Sequence, residues 1–518
     1  MNRVFLSLIL MSYTCVTLAA VPVYDEPWRP QVHFSPPQQW MNDPNGMVYF
    51  GGEYHLFYQY NPYANVWGPM HWGHAVSGDL VHWEHLPIAL FPDVHGTIFS
   101  GSAVVDVGNT SNLGSRNHPP LVAIFTYHDH LAEHLGRQDF QTQGMAYSLD
   151  RGRTWTKYAG NPVLANPGSR DFRDPKVFWD SARKKWVMTL AVHDHVAFYS
   201  SKDLKSWTYE SDFGKDAGAH GGVWECPDLI EMSVAGSGER KTVLLVSLNP
   251  GGPNGGSATQ YFVGQFDGHR FVPDAASSGG ADSAAWIDYG TDDYAGSTWS
   301  GNKPGDDRQL YLGWMSNWQY ANQVPTQRWR SAMTLPRELK LVPTPRGLEL
   351  HSTPVAELAA LRARRANIPA QAVAGSLDLG AASGLSGELL ELELSLHTGG
   401  ANRVDLVFSN AQGQHTTFRL DKANHRYEVD RSASGTVDFN PVFSQLQSAP
   451  LRQSGDEIAI HAFLDRSSIE IFINGGETVF TVINFPTTPY DRISLQTDHE
   501  LALDAGALYE LKSAWNRQ

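Results

Sequence analysis

Ser77-Gly78-Asp79-Leu80-Val81-His82-Trp83 is a turn sequence that the chain uses more than once. It returns as Ser148-Leu149-Asp150-Arg151-Gly152-Arg153-Thr154-Trp155 and as Ser201-Lys202-Asp203-Leu204-Lys205-Ser206-Trp207, with a weaker copy at Phe266-Asp267-Gly268-His269-Arg270-Phe271. The closing aromatics are 72, 52 and 64 residues apart. Each copy follows a short β run and reads as a turn between outer strands. A period of roughly 60 residues in a chain of short strands is about four strands per unit, which predicts the blades of a β-propeller. Trp83, Trp155 and Trp207, as repeat positions, are expected to pack in the core.

A second series interleaves with the first. Asp43, Ser100-Gly101-Ser102, Arg173-Asp174-Pro175, Glu225-Cys226-Pro227 and Asp288-Tyr289-Gly290 each open a β run, at steps of 57, 74, 51 and 63 residues. Equivalent positions of successive blades point into one central funnel. Five openings predict five blades and bring these distant segments together. The first lies in Trp40-Met41-Asn42-Asp43-Pro44-Asn45-Gly46, where Pro44 and Gly46 predict a sharp turn holding Asp43 in one orientation. Met47 to Phe50 and Glu53 to Tyr60 then read as a hairpin about Gly51-Gly52.

The texture changes near Pro343. Thr353-Pro354 has the form of a helix cap and first-turn proline, and Val355 to Arg365 predicts a short helix. Strand alternation resumes with Leu390, Leu392, Leu394 and Leu396, and continues in Ile469, Ile471, Ile473 and the turn Asn474-Gly475-Gly476. The expected fold is all-β, a five-bladed β-propeller followed by a C-terminal β-sandwich. The expected division is an export signal over residues 1–20, the propeller over 30–345, a linker with a short helix over 346–370 and the sandwich over 371–518.

The whole chain bounds its function. At 518 residues it exceeds one ordinary core. A net charge of −15 argues against nucleic acid as a partner, because phosphate binding needs a basic face. Arg3, the apolar run Val4 to Met11 and Leu18-Ala19-Ala20 have the form of a cleavable signal, and the run is too short to anchor in a membrane. The protein is therefore expected to be exported: extracellular, or periplasmic in a Gram-negative host. Removal of the signal takes Cys15 with it, so Cys226 is left without a disulfide partner. Sixteen Trp and twenty Tyr suit either sugar stacking or an aromatic all-β core. Oligomeric state is not legible.

Two carboxyl groups flanking a glycosidic bond can hydrolyse it, one attacking the anomeric carbon and one protonating the leaving oxygen. Asp43, Asp174 and Glu225 are the candidates, because each opens a blade. Asp43 is expected to stay ionised beside the backbone N–H groups of Asn45 and Gly46, as a nucleophile must. Glu225 follows Val223-Trp224, an apolar setting that favours a protonated acid. Arg173 is expected to hold its neighbour Asp174 charged, for gripping substrate hydroxyls. Trp40, Trp67 and Trp318 lie outside the turn repeat and are candidates for sugar stacking. His128, His130 and His134, with His193 and His195, have ligand-like spacing, but the chemistry needs no metal or cofactor and none is assigned. Cys226 has no activating histidine pattern and reads as a small buried residue tuning Glu225.

Trp40 to Gly46, Phe172-Arg173-Asp174-Pro175 and Trp224-Glu225-Cys226-Pro227 resemble, in order and spacing, the three signature motifs of glycoside hydrolase family 32, which holds invertases, inulinases, levanases and fructosyltransferases. The likeness runs from about Val32 to the C-terminus and includes Phe463 to Phe472 of the sandwich. It comes nearest to secreted exo-inulinases and levanases through Leu248-Asn249-Pro250-Gly251-Gly252-Pro253 and Thr259-Gln260-Tyr261-Phe262-Val263-Gly264. The resemblance implies a retaining mechanism with Asp43 as nucleophile, Glu225 as acid/base and Asp174 as transition-state stabiliser. It places Asn42, Gln59, Trp67, Ser100, Arg173 and Trp318 around a terminal fructose, with Trp40, Phe99, Asp288 and Tyr289 as further pocket residues. The implied substrates are inulin, levan and sucrose, cleaved from the end. A sucrose-specific invertase, a fructosyltransferase and a non-catalytic carbohydrate-binding propeller are the alternatives, the last opposed by the presence of all three carboxylates.

Overall fold

A computed structural model of the protein describes residues 24–280, 284–452 and 455–515. The export signal expected over residues 1–20 lies outside them. Five antiparallel sheets follow one another along the chain. The first holds β1 (Gln39–Phe50), β2 (Glu53–Asn61), β3 (His71–Ser77) and β4 (Trp83–Leu90). The second holds β5 (Thr97–Val105), β6 (Leu121–His128), β7 (Gln141–Ser148) and β8 (Thr156–Lys157), with the single-turn helix α1 (His130–His134) after β6. The third holds β9 (Phe172–Asp180), β10 (Lys185–Val192), β11 (His195–Ser201) and β12 (Thr208–Phe213). The fourth holds β13 (Val223–Ser233), β14 (Arg240–Asn249), β15 (Ala258–Phe266) and β16 (Phe271–Pro273), with β17 (Ala285–Trp286) also on β15. The fifth holds β18 (Tyr294–Thr298), β19 (Gln309–Met315), β22 (Arg337–Thr344) and β23 (Gly347–Pro354). Of the two short strands before β22, β20 (Trp329–Arg330) pairs in parallel with β1 and closes the ring, and β21 (Ala332–Met333) pairs with β19.

The repeated turn joins the third and fourth strands of the first four sheets. Asp79 Oδ1 accepts the N–H of Val81 and His82 at 3.0 and 2.8 Å, and the Trp83 indole donates to the Leu80 carbonyl at 3.0 Å. Asp203 and Trp207 repeat this at 2.9, 2.9 and 3.2 Å. Leu80 and Leu204 sit at φ 68° and 64°, where Gly152 and Gly268 serve the other copies. The aspartate satisfies the amides of a left-handed turn, which explains why this residue recurs. The indoles pack between sheets, Trp83 against Trp299 and Trp155 edge-on to Phe57. The hairpin of β1 and β2 turns at Gly51-Gly52, φ 63° and 95°, the two positive angles that such a two-residue loop demands.

Trp40 to Gly46 is not a turn. It lies inside β1, whose pairing with β2 slips between Asn42 and Pro44 and again between Asn45 and Val48. Proline and glycine here serve bulges, where a ladder N–H is not needed. The glycine is obligatory at 46: φ is 58°, and a Cβ would meet Phe57 at 2.6 Å and Trp72 at 2.7 Å.

The helix expected over Val355–Arg365 is a 3₁₀ segment, Ala356–Leu361, that anchors Leu358 and Leu361. Thr353-Pro354 ends β23 instead of capping a helix, and from Arg362 the chain pairs with Leu501–Leu511. Strand pairing overrides the local helical pattern. Two sheets of seven and six strands follow, one containing Leu390–His397 and Ser468–Ile473, the other Arg403–Ser409 and Arg492–Thr497. The alternating leucines and isoleucines of the sequence fill the core between them.

The sandwich is bolted to the propeller by buried charge. Arg337 reaches Asp288 at 2.9 Å, Asp293 at 3.1 Å and Glu470 at 2.5 Å, all four side chains being buried. His33 bridges Asp465 and Glu470 at 2.7 and 2.9 Å. Burial opposes its charge, but the two carboxylates outweigh it and raise the imidazole to about 9.

Candidate active site

Every innermost strand carries a bulge near its start. In β1 Asp43 is the extra residue, and Phe99-Ser100, Asp174-Pro175, Cys226-Pro227 and Ala295-Gly296 fill the equivalent slips in β5, β9, β13 and β18. Asp174, Cys226 and Ala295 stand at φ 63°, 48° and 52°. A bulge bends the strand and re-aims its side chains, and here it turns them to the propeller axis. That is the physical content of the second sequence series.

A cavity of about 300 Å³ opens at the bulged ends of the inner strands. Asp43, Asp174 and Glu225 line it together with Asn42, Gln59, Trp67, Phe99, Ser100, Arg173 and Trp318. Trp40 does not reach the cavity. It is fully buried behind Trp318, 5.9 Å away and nearly parallel, and donates to Asn42 Oδ1 at 2.7 Å. Asp288 and Tyr289 are elsewhere. Their segment runs along the sandwich strand Thr478–Ile483, Tyr289 N–H bonding Val479 and Asp288 accepting from Arg337 and Thr481. The fifth inner strand begins later, and Tyr294 is the residue it offers: its hydroxyl donates to Glu225 Oε2. Tyr294 carries no carboxylate or proline signature, so nothing in the sequence marked it. Glu133, Phe140, Gln141, Arg170, Asp171 and Asn249 also line the cavity unannounced.

The three carboxylates differ in their partners. Asp43 Oδ2 accepts from Ser100 Oγ at 3.2 Å, and its Oδ1 is buried without a partner. Asp43 is not held ionised as expected: burial, and then the charges of Glu225 and Asp174, push it up to about 7. Asp174 accepts the Cys226 N–H at 3.1 Å and its thiol at 3.5 Å. Arg173 does not pair with Asp174. It donates to Glu225 Oε1 at 3.0 Å and to Asp171 at 2.6 Å. Burial and Glu225 outweigh the Arg173 charge and push Asp174 to about 6. The Cys226 thiol, raised by burial beside these acids, stays protonated and touches Asp174 instead of Glu225. Among the histidines, His128 and His130 come together with Glu133 at the rim, whereas His193 pairs with Asp171 and His195 with Asp194.

Residues 33–354 match the Glycosyl hydrolases family 32 N-terminal domain, and residues 357–509 its C-terminal domain. The levanase of Bacillus subtilis is 48% identical over 500 residues, 95% of this chain and 72% of that protein. The extracellular exo-inulinase of Aspergillus awamori is 39% identical over 520 residues, 95% of this chain and 96% of the relative. The crystal structure of that exo-inulinase superposes with a TM-score of 0.86 at 37% identity, covering 95% of this chain and all 100% of the other. Both domain models match in order over nearly the whole chain, and the chain belongs to glycosyl hydrolase family 32.

Proposed function

We propose that the protein is an exo-acting, retaining β-fructosidase that releases terminal fructose from inulin- and levan-type fructans and from sucrose. The observation that carries this is the small axial cavity in which Asp43 and Glu225 meet with Asp174 between them in sequence. Asp43 is the nucleophile, Glu225 the acid/base and Asp174 the holder of sugar hydroxyls. Asp43 attacks fructose C2 while the bond from C2 to the leaving oxygen breaks, and that oxygen takes the Glu225 proton. Water then gives a proton to Glu225 and attacks C2, freeing Asp43 and retaining configuration. The step starts with Asp43 ionised and the proton on Glu225, as the two roles require. Arg173 and Tyr294 fix the direction of the Glu225 carboxyl, one on each oxygen.

A cavity of about 300 Å³ is at the small end of ligand sites, about 300–1,000 Å³, which suits one terminal sugar better than a threaded polymer. Gln59 Nε2 and Asp43 Oδ1, buried without protein partners, are groups a fructose would satisfy. The signal-like N-terminus supports work outside the cytoplasm, where such polymers are met, and no described helix is long and apolar enough to cross a membrane. Inulin and levan are expected to yield free fructose alone at early times, read by chromatography; a ladder of oligomers would refute exo-action. Glu225→Gln is expected to slow sucrose about 10²–10⁴-fold and an aryl fructoside far less. Equal losses on both would remove Glu225 from the acid role.

A further inference from the structure

At the cavity rim, atoms of His128, His130 and Glu133 lie within 4.8 Å of one another, a set that by composition could hold a metal. The hydrogen bonds around His128 give it a different job. Gln141 Oε1 accepts the Phe172 N–H at 2.8 Å, so its amide nitrogen is the end facing His128 Nδ1, at 3.2 Å. Nδ1 therefore accepts, and a neutral ring then carries its proton on Nε2. Burial, with His130 beside it, holds the ring neutral, down at about 4. Nε2–H points at Glu133 Oε2, 2.9 Å away. A metal on Nε2 would force the proton onto Nδ1, against the Gln141 N–H.

Glu133 is thus a carboxylate aimed from two sides, since Arg170 donates to its Oε1 at 2.7 Å. A carboxylate offers about four acceptor positions, so two remain for a ligand. Its side chain is 31% exposed at the rim, where a polymer leaves an end-binding pocket. The same wall carries the acid: Arg173, which holds Glu225, also reaches Gln141 at 3.4 Å. We propose that Glu133 binds hydroxyls of the sugar on the leaving side of the scissile bond, and that His128 is the positioning residue that orients it.

This rests on the β-fructosidase reading, and the test separates the two. The measurement is kcat/KM on an inulin-type trisaccharide and on a nitrophenyl β-fructofuranoside, which has no sugar on the leaving side. Wild type failing to release fructose from either substrate would sink the underlying reading. Glu133→Gln is expected to lower the trisaccharide-to-aryl ratio about tenfold or more, the worth of a hydrogen bond to a charged group, chiefly through KM. His128→Phe should lower the ratio similarly, and His128→Gln, which keeps an N–H donor, should restore most of it. An unchanged ratio in Glu133→Gln overturns the proposal. So does tight zinc binding by the wild type that disappears in that variant, because it would put a free lone pair on Nε2.

Discussion

Asp43→Asn is expected to abolish turnover and to make the protein more stable. The amide cannot form the fructosyl ester, and loss of a covalent nucleophile costs on the order of 10⁴-fold or more in kcat. The stability effect follows from the same carboxyl. Asp43 is pushed up to about 7 in the fold, against about 4 in an unfolded chain. A raised carboxyl pKa means that the folded state prefers the proton, so folding stability falls as pH rises from about 4 through about 7. Above pH 7 the full penalty is present, on the order of 4 kcal/mol for that rise and less with solvent screening in the open pocket. The neutral amide of the variant carries no such penalty. Thermal melts should show the variant above wild type at pH 8 and level with it near pH 4. A variant no more stable at pH 8 would mean that Asp43 is not the group that bears the repulsion. The charge of Glu225 also raises Asp43, so Glu225→Gln should move the acid limb of aryl-fructoside hydrolysis to lower pH.

Arg337→Met is the change expected to damage the fold most. It leaves Asp288, Asp293 and Glu470 facing one another in a fully buried site. Breaking a buried ion pair from one side costs about 3–5 kcal/mol. Asp293 is already raised to about 8, by burial above all, and without the guanidinium its neighbours would follow it upward. Their preference for the proton then makes the loss smaller in acid and larger as pH rises. Chemical denaturation at pH 5 and pH 8 should resolve this slope, and a pH-independent loss would mean that packing, not charge, is what Arg337 supplies. Arg337 joins β22 to both modules, so we expect the propeller and sandwich of this variant to melt in separate steps.

What the sequence disclosed follows the range of the interactions involved. The Asp79 and Asp203 turns and the Gly51-Gly52 hairpin are satisfied within a few residues, so their signatures are local, and the leucine alternation at Leu390 is legible because a strand buries every second residue whichever distant strand it pairs with. Asp43, Asp174 and Glu225 were legible because the bulges recur with the blades. Asp288 misled for the same reason. A carboxylate before glycine at the right interval looks like a blade opening, and only its hydrogen bonds to Arg337 and Thr481, far away in sequence, place it against the sandwich. The turn expected at Pro44 and the helix expected after Pro354 failed alike: proline and glycine mark an irregular backbone, but not whether neighbouring strands absorb it. The wall made by Glu133 and Arg170 was silent, since α1 and the loop before β9 belong to no repeat.

The ring of bulges has an evolutionary consequence. The groups proposed to break the bond lie in or beside slips within the sheets themselves, so they are inherited with the scaffold and cannot drift without disturbing strand pairing. Glu133 and Arg170 sit on connections that insertions can remodel while every blade stays intact. Reaction and choice of polymer are therefore separately heritable in this architecture. A lineage could trade one fructan for another by rewriting the rim, generation after generation, over an unaltered catalytic floor.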